Sequence, residues 1–190
     1  MNPDEAIPAY HDDARRFRDA LSFTEARTGF SARLIEKDYY CSIILRAFGG
    51  MFDQGLVFNG GTCLGRVHMS FYRLSEDLDF ALPMEASARK RDRRAKVEPF
   101  KKRFAALPDR LSQVRIADQL TGSNLSQQYI GRYAYRSVLT AEDEFIKLEV
   151  SLREPVHHPI ESRVANTLLI DPFTNTPVVG PVSVHVLSLR

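Results

Sequence analysis

Two aspartates, Asp77 and Asp79, stand two residues apart in the apolar run Glu76-Asp77-Leu78-Asp79-Phe80-Ala81-Leu82. The alternation predicts a strand with Leu78 and Phe80 on one side and both carboxylates on the other. Like charges that close raise each other's proton affinity unless a cation lies between them. A hard divalent ion suits such oxygen donors, Mg²⁺ first and Mn²⁺ as the alternative, and completes its shell with water and substrate phosphate. Two such ions ~3.5–4 Å apart stabilise the entering and leaving oxygens of an in-line phosphoryl displacement. A third carboxylate is then expected, and Glu149 is the candidate. In Phe145-Ile146-Lys147-Leu148-Glu149-Val150-Ser151 the apolar residues face inward, so Glu149 shares the other face with Lys147 and Ser151. The reading requires this strand to lie beside that of Asp77 and Asp79.

Upstream, Gly60-Gly61-Thr62 follows the short apolar stretch Leu56-Val57-Phe58-Asn59. A strand giving way to a helix there presents free N–H groups and the positive end of the helix dipole to an anion. Two glycines let a triphosphate approach the backbone, and the Thr62 hydroxyl can donate to it. The pattern is neither GxxxxGK[ST] nor GxGxxG. Arg73 and Ser75, just ahead of the aspartates, are placed to contact phosphate or to cap the preceding helix. Lys37-Asp38 is expected in a structural ion pair, and His157-His158 lacks the companions of a zinc site.

The elements that must position these groups read as follows. Helices are predicted over 8–28 and from a Ser31 cap to Gly49-Gly50, the second with Leu34, Cys41, Leu45 and Phe48 as its stripe. A strand over 56–59, a helix over 62–72 and a strand over 76–82 follow. That third helix should carry Leu64, Val67, His68 and Phe71 on one face. Val97, Phe100, Phe104 and Leu107 have helical spacing, with Pro99 starting a second helix inside the basic segment. Gln128–Leu139, with Tyr129, Gly131, Tyr133 and Tyr135 on one side, pairs as a hairpin with 145–153. The tyrosines read as half-buried strand residues. Residues 155–181, with five prolines, read as irregular connection with short extended pieces, and 182–189 is a last strand. The fold class is therefore α/β (α+β), a small mixed sheet of about four or five strands flanked by helices.

The 190 residues are 44% hydrophobic and 26% charged, enough for a buried core in one domain. No apolar run approaches a membrane span, and no leader precedes one, so a cytoplasmic protein is expected. Cys41 and Cys63 read as reduced, buried thiols. The net charge is +2, but residues 89–103 carry nine basic and two acidic side chains, leaving 17 basic against 22 acidic residues elsewhere. That segment is a solvated helix face or a contact for an RNA backbone.

Three blocks, residues 36–48, 56–82 and 146–156, resemble the AbiEii/AbiGii-type nucleotidyltransferase toxins of bacterial abortive-infection, type IV toxin–antitoxin systems. The resemblance runs from about residue 34 onward, and the block GGT…R-SEDLDF is its most specific part. It implies a DNA-polymerase-β-like nucleotidyltransferase fold over residues 1–190, with N-terminal helices over 1–50 and a sheet-containing core over 56–190. It also implies Mg²⁺, an NTP donor, an RNA acceptor (tRNA 3′ ends in some members) or a protein acceptor, and a cognate antitoxin. By motif, Gly60, Gly61 and Thr62 fall in the nucleotide-binding element. Asp77 and Asp79 take the metal-carboxylate positions and Glu149 the third acid. Family members continue into a helix with an EK pair and a further aspartate. That region is expected to be absent from these residues, so the alternative is a nucleotidyltransferase-like domain that binds nucleotide or antitoxin without turnover.

Overall fold

The computed structural model describes residues 9–71, 74–85, 87–152 and 159–188. One seven-stranded mixed sheet organises them, in the order β3-β4-β5-β2-β1-β7-β6. In chain order the strands are β1 (Val57–Asn59), β2 (Leu78–Ala81), β3 (Val114–Ser123), β4 (Gln128–Arg136), β5 (Asp143–Ser151), β6 (Ile160–Ala165) and β7 (Val182–Leu187). The pairs β2–β5 and β1–β7 are parallel and the others antiparallel. The mixed α/β class holds, with a larger sheet than the sequence predicts.

Helices cover one face of that sheet. α1 (Ala14–Thr28) starts where Asp13 accepts from the N–H groups of Arg15 and Arg16, and stops at Gly29 in the left-handed conformation. α2 (Ala32–Ala47) is buried along nearly its whole length, well beyond the predicted stripe. Leu34 is only half-buried, whereas Ile35, Tyr39 and Ile43 are in the core. Ser31 precedes α2 without a side-chain cap bond; Glu25 accepts from the Ala32 N–H instead.

α4 (Lys90–Arg110) is one continuous helix with Pro99 inside it, so the predicted restart at Pro99 does not occur. Proline in a helix interior costs about 3 kcal/mol. The apolar stripe runs unbroken past it, and the two aromatics that follow are anchored. Phe100 stacks on Phe48 at 4.8 Å and Phe104 on Tyr133 at 4.3 Å. Gly131 makes the second contact possible, since a Cβ there would stand 2.7 Å from the Phe104 ring. Tyr129, Tyr133 and Tyr135 all lie in the core, and Tyr135 stacks on Tyr40 of α2 at 3.8 Å.

β3 was not expected and is interrupted by register shifts near Asp118, while β6 is an edge strand among the short extended pieces expected in the proline-rich region. Both expose most of their residues, so neither carries the alternation of a half-buried strand. No helix among the described residues is long and apolar enough to cross a membrane. Cys41 and Cys63 are free and buried, and burial pushes each thiol up to about 12.

Candidate active site

β2 alternates as its sequence requires. Leu78 and Phe80 enter the core, where Phe80 meets Phe48, Phe52, Phe58 and Phe100, and Asp79 points to the opposite face. β5 behaves alike, with Ile146, Leu148 and Val150 fully buried. The parallel register sets Leu78 against Leu148 and Asp79 against Glu149. A one-residue slip would turn the apolar side chains of one strand outward, so core packing enforces this pairing. The third acid therefore stands directly beside Asp79.

Lys147, two residues before Glu149, joins the cluster. Its ammonium lies 3.3 Å from Asp77 Oδ2 and 3.7 Å from Glu149 Oε2. Burial pulls the Lys147 ammonium down, but hydrogen bonding to Asp77 and the charges of Asp77, Asp79 and Glu149 outweigh it and hold it above its ordinary value. Gln128 donates to the other Glu149 oxygen across the β4–β5 hairpin. The Asp79 carboxyl is raised, first by burial and further by Glu149 and Asp77, with Lys147 counteracting.

The glycine turn touches this cluster. Gly60 has φ +75°, and a Cβ on it would lie 2.2 Å from Asp79 Oδ2 and 2.8 Å from Asp79 Cβ. Glycine is required there twice, for its conformation and for the room it leaves the carboxylate. Gly61 and Thr62 follow Gly60 in α3 (Gly60–Cys63), and the buried Thr62 hydroxyl donates to the Asp77 carbonyl. That proton is thus engaged within the fold, where it ties the turn to the strand of the acids.

The helix predicted over 62–72 is shorter and different. α3 widens after Cys63 into a π-helical turn, Leu64–His68, which ends at Met69. Widening changes which residues face inward. Gly65 and Arg66 are buried there, while Leu64, Val67 and His68 are half-exposed. Arg66 is 2% exposed and meets Asp38 of α2 at 2.6 Å, also donating to Ser42 and to the Asp38 carbonyl. The expected ion pairing of Lys37-Asp38 is present with separate partners, since Lys37 meets Glu76 at 2.6 Å. Ser75 lines a narrow crevice with Asp38, Thr62 and Arg66, on the turn side of the cluster. Arg73 and His157-His158 lie outside the described residues.

Lys147, Gln128 and Arg66 are the contributors that sequence reasoning did not assign. Lys147 had a signal, its position two residues from Glu149 on the same strand face. Arg66 had none, because its partner comes from a helix 28 residues earlier.

The donors are all oxygen and carry three negative charges, the chemistry a hard divalent ion selects. Among the described residues, no three His, Cys, Asp or Glu side chains close on one point as metal ligands do. The ammonium of Lys147 stands among the carboxylates as a cation already drawn into the cluster. The residues fit a divalent ion by donor type and charge.

The model of the nucleotidyl transferase AbiEii toxins of type IV toxin–antitoxin systems matches residues 44–190. The chain belongs to that family. The match spans the glycine turn, both aspartates and Glu149, and the mixed α/β sheet is consistent with a nucleotidyltransferase-like fold. Among solved structures, that of JHP933 from Helicobacter pylori is 20% identical over 82% of this chain and 53% of its own, with a TM-score of 0.39. The chain thus spans about half the length of that protein. None of the curated proteins compared with the chain matches it.

Proposed function

We propose that this chain carries the catalytic centre of a divalent-metal-dependent nucleotidyltransferase. It would transfer a nucleoside monophosphate from an NTP to a hydroxyl of an RNA or protein acceptor, as the toxin of a pair with a cognate antitoxin. The observation that carries this reading is the register that sets Asp79 beside Glu149, with the Gly60 backbone against the Asp79 carboxylate.

In this reading Asp77, Asp79 and Glu149 hold Mg²⁺ or Mn²⁺. The bound metal supplies positive charge to the triphosphate oxygens and to the attacking hydroxyl. The chain's own residues supply position. Gly60 leaves room for one Asp79 oxygen, Thr62 anchors Asp77 through its carbonyl, and Gln128 fixes the Glu149 carboxylate. Gly60 and Gly61 lie on the β1 side of the cluster, where the triphosphate would bind, with Ser75 in the crevice beside Thr62; Arg73 is proposed, on its place in the sequence, as a further phosphate contact. The acceptor oxygen bonds to the α-phosphorus, the bond to the pyrophosphate oxygen breaks, and the hydroxyl proton passes to a carboxylate or to water. Charge and orientation, rather than covalent participation, carry such a transfer.

One observation favours a second reading, binding without turnover. Lys147 already offsets Asp77 and Glu149, which could hold the cluster together with no metal. Calorimetric titration with each NTP, with and without Mg²⁺, followed by product analysis separates the two. Transfer requires Mg²⁺-dependent NTP binding that Asp79→Asn abolishes, together with released pyrophosphate. Binding that ignores both Mg²⁺ and Asp79, with no product, supports the second reading and removes the first.

A further inference from the structure

The sheet ends on β3 at one side and on β6 at the other, and the two edges differ. An open edge offers unpaired N–H and C=O groups to another strand, and proteins commonly blunt it with bulges, prolines or charges. β3 is blunted by its register shifts on either side of Asp118. β6 is regular. All six of its residues pair in unbroken register with β7, and no proline interrupts Ile160–Ala165. Among the described residues no strand pairs with its outer side. That edge also carries apolar surface, with Ile160 43% and Val164 53% exposed.

Antiparallel pairing fixes which backbone groups are left over. The Ser188 N–H donates to the Pro159 carbonyl, so residues 159 and 188 form a hydrogen-bonded pair. Such pairs alternate along an antiparallel ladder. Glu161, Arg163 and Ala165 therefore turn their backbone groups to β7, and those of Ile160, Ser162 and Val164 point out of the sheet. A strand adding to this edge bonds to these three residues.

The strand that answers this pattern is β6 itself. Antiparallel pairing of two copies about a two-fold axis at Ser162 sets Ile160 of each copy against Val164 of the other, and Ser162 against itself. All of these are outward-facing positions, and each such pair exchanges two N–H···O bonds. On the other face of the strand, the same register sets Glu161 of each copy against Arg163 of the other. Within one chain Arg163 already donates to Glu161 at 3.1 Å. That exposed pair contributes little and need not break, because each charge then has an opposite one both along and across the strands. Apolar and opposite-charge cross-strand pairs are those that stabilise an antiparallel ladder. Centring the axis one residue either way sets Glu161 or Arg163 against its own copy, and like charges directly opposite destabilise. The sequence of β6 thus selects one register.

We infer that β6 is a self-association surface, through which two copies of this chain join edge to edge about Ser162 into one continuous sheet. The interface is isologous, the same strand on both sides. β6 stands three strands from β2, so the contact leaves the carboxylate cluster untouched.

The test is sedimentation velocity over a concentration series, with the 190-residue chain and its Glu161→Arg, Arg163→Glu and Ser162→Pro variants. The parent should pass from monomer to dimer as concentration rises. Ser162→Pro removes an outward N–H that β7 does not use, and should leave a monomer. Val164→Lys carries that arm if the proline variant does not fold. Each charge variant alone sets like charges together at both pairs. Loss of the two attractions weakens the dimer about two- to 30-fold, and repulsion adds to it. An equimolar mixture of the Glu161→Arg and Arg163→Glu chains sets opposite charges together again and should recover the parent's dimer affinity. A parent that stays monomeric throughout, a dimer undiminished in the proline and lysine variants, or a mixture no stronger than its components overturns the inference.

Discussion

Gly60→Ala is the perturbation that most sharply separates a glycine turn serving Asp79 from a turn that is merely flexible. Two costs are visible. The backbone at Gly60 sits at φ +75°, where an L-residue pays about 1–2 kcal/mol. The new Cβ would also stand 2.2 Å from Asp79 Oδ2 and 2.8 Å from Asp79 Cβ. Ordinary contact needs roughly 1 Å more, and overpacking of that kind costs typically 1–3 kcal/mol. Gly55→Ala isolates the first cost. Gly55 has φ +89°, and its Cβ would meet only Lys96 Nζ, at 3.7 Å. For a chain of this size each kcal/mol lowers Tm by about 2–4 °C. Gly55→Ala should then lose roughly 2–8 °C and Gly60→Ala roughly 4–20 °C. The larger difference should appear in function, because a 1 Å displacement of a reacting group costs on the order of 100-fold in rate. Differential scanning calorimetry and divalent-ion-dependent NTP binding are the assays. If the two alanine variants match in both, the turn does not set the position of Asp79.

Three further outcomes follow from the same geometry. The raised Asp79 carboxyl is easier to protonate in the folded chain than in the unfolded one, so its ionisation opposes folding above its ordinary range. Asp79→Asn should therefore raise Tm at pH 7 without metal, and the gain should shrink as pH falls through the Asp79 titration, as thermal melts across pH would show. Arg66→Met would leave the Asp38 carboxylate buried and unpaired, at about 3–5 kcal/mol, or roughly 6–20 °C in Tm. Adding Asp38→Leu should recover part of that loss in calorimetry. Asp171 behaves oppositely to Asp79. Burial pushes its carboxyl up, but hydrogen bonds from Arg16, the backbone of Phe173 and Thr174, and Tyr10 prevail and hold it at about 2. A depressed carboxyl stabilises above its unfolded value and loses that contribution as pH falls through the folded one. Asp171→Asn should accordingly lower Tm at neutral pH and cease to matter near pH 2.

The chemistry-bearing strands were readable because each is buried on one face and polar on the other. Leu78 and Phe80 in β2, and Ile146, Leu148 and Val150 in β5, fix Asp79 and Glu149 on the opposite face by period alone. Their adjacency was a requirement of the chemistry, and the parallel register meets it. What escaped was set by tertiary contact. β3 buries little beyond Val114 and Leu120 and is broken by register shifts, so no alternation marks it. Arg66 lies off the predicted face of Leu64, Val67, His68 and Phe71, and only the Asp38 carboxylate in the core explains its burial. Pro99 reads as a helix start, yet Phe100 and Phe104 anchor the helix on both Phe48 and Tyr133 and carry it through. Lys147 was placed on the acid face by period, but its ion pair with Asp77 depends on which strand lies alongside.

The most direct measurement is transfer of label from an α-labelled NTP, in Mg²⁺, to total RNA or protein by the parent chain and by Asp77→Asn, Asp79→Asn and Glu149→Gln. The account predicts transfer by the parent, none without the divalent ion, and loss in both aspartate variants. The Glu149 variant should fall on the same scale, because it shares the register with Asp79. Transfer that persists undiminished when Asp77 and Asp79 are replaced would contradict it.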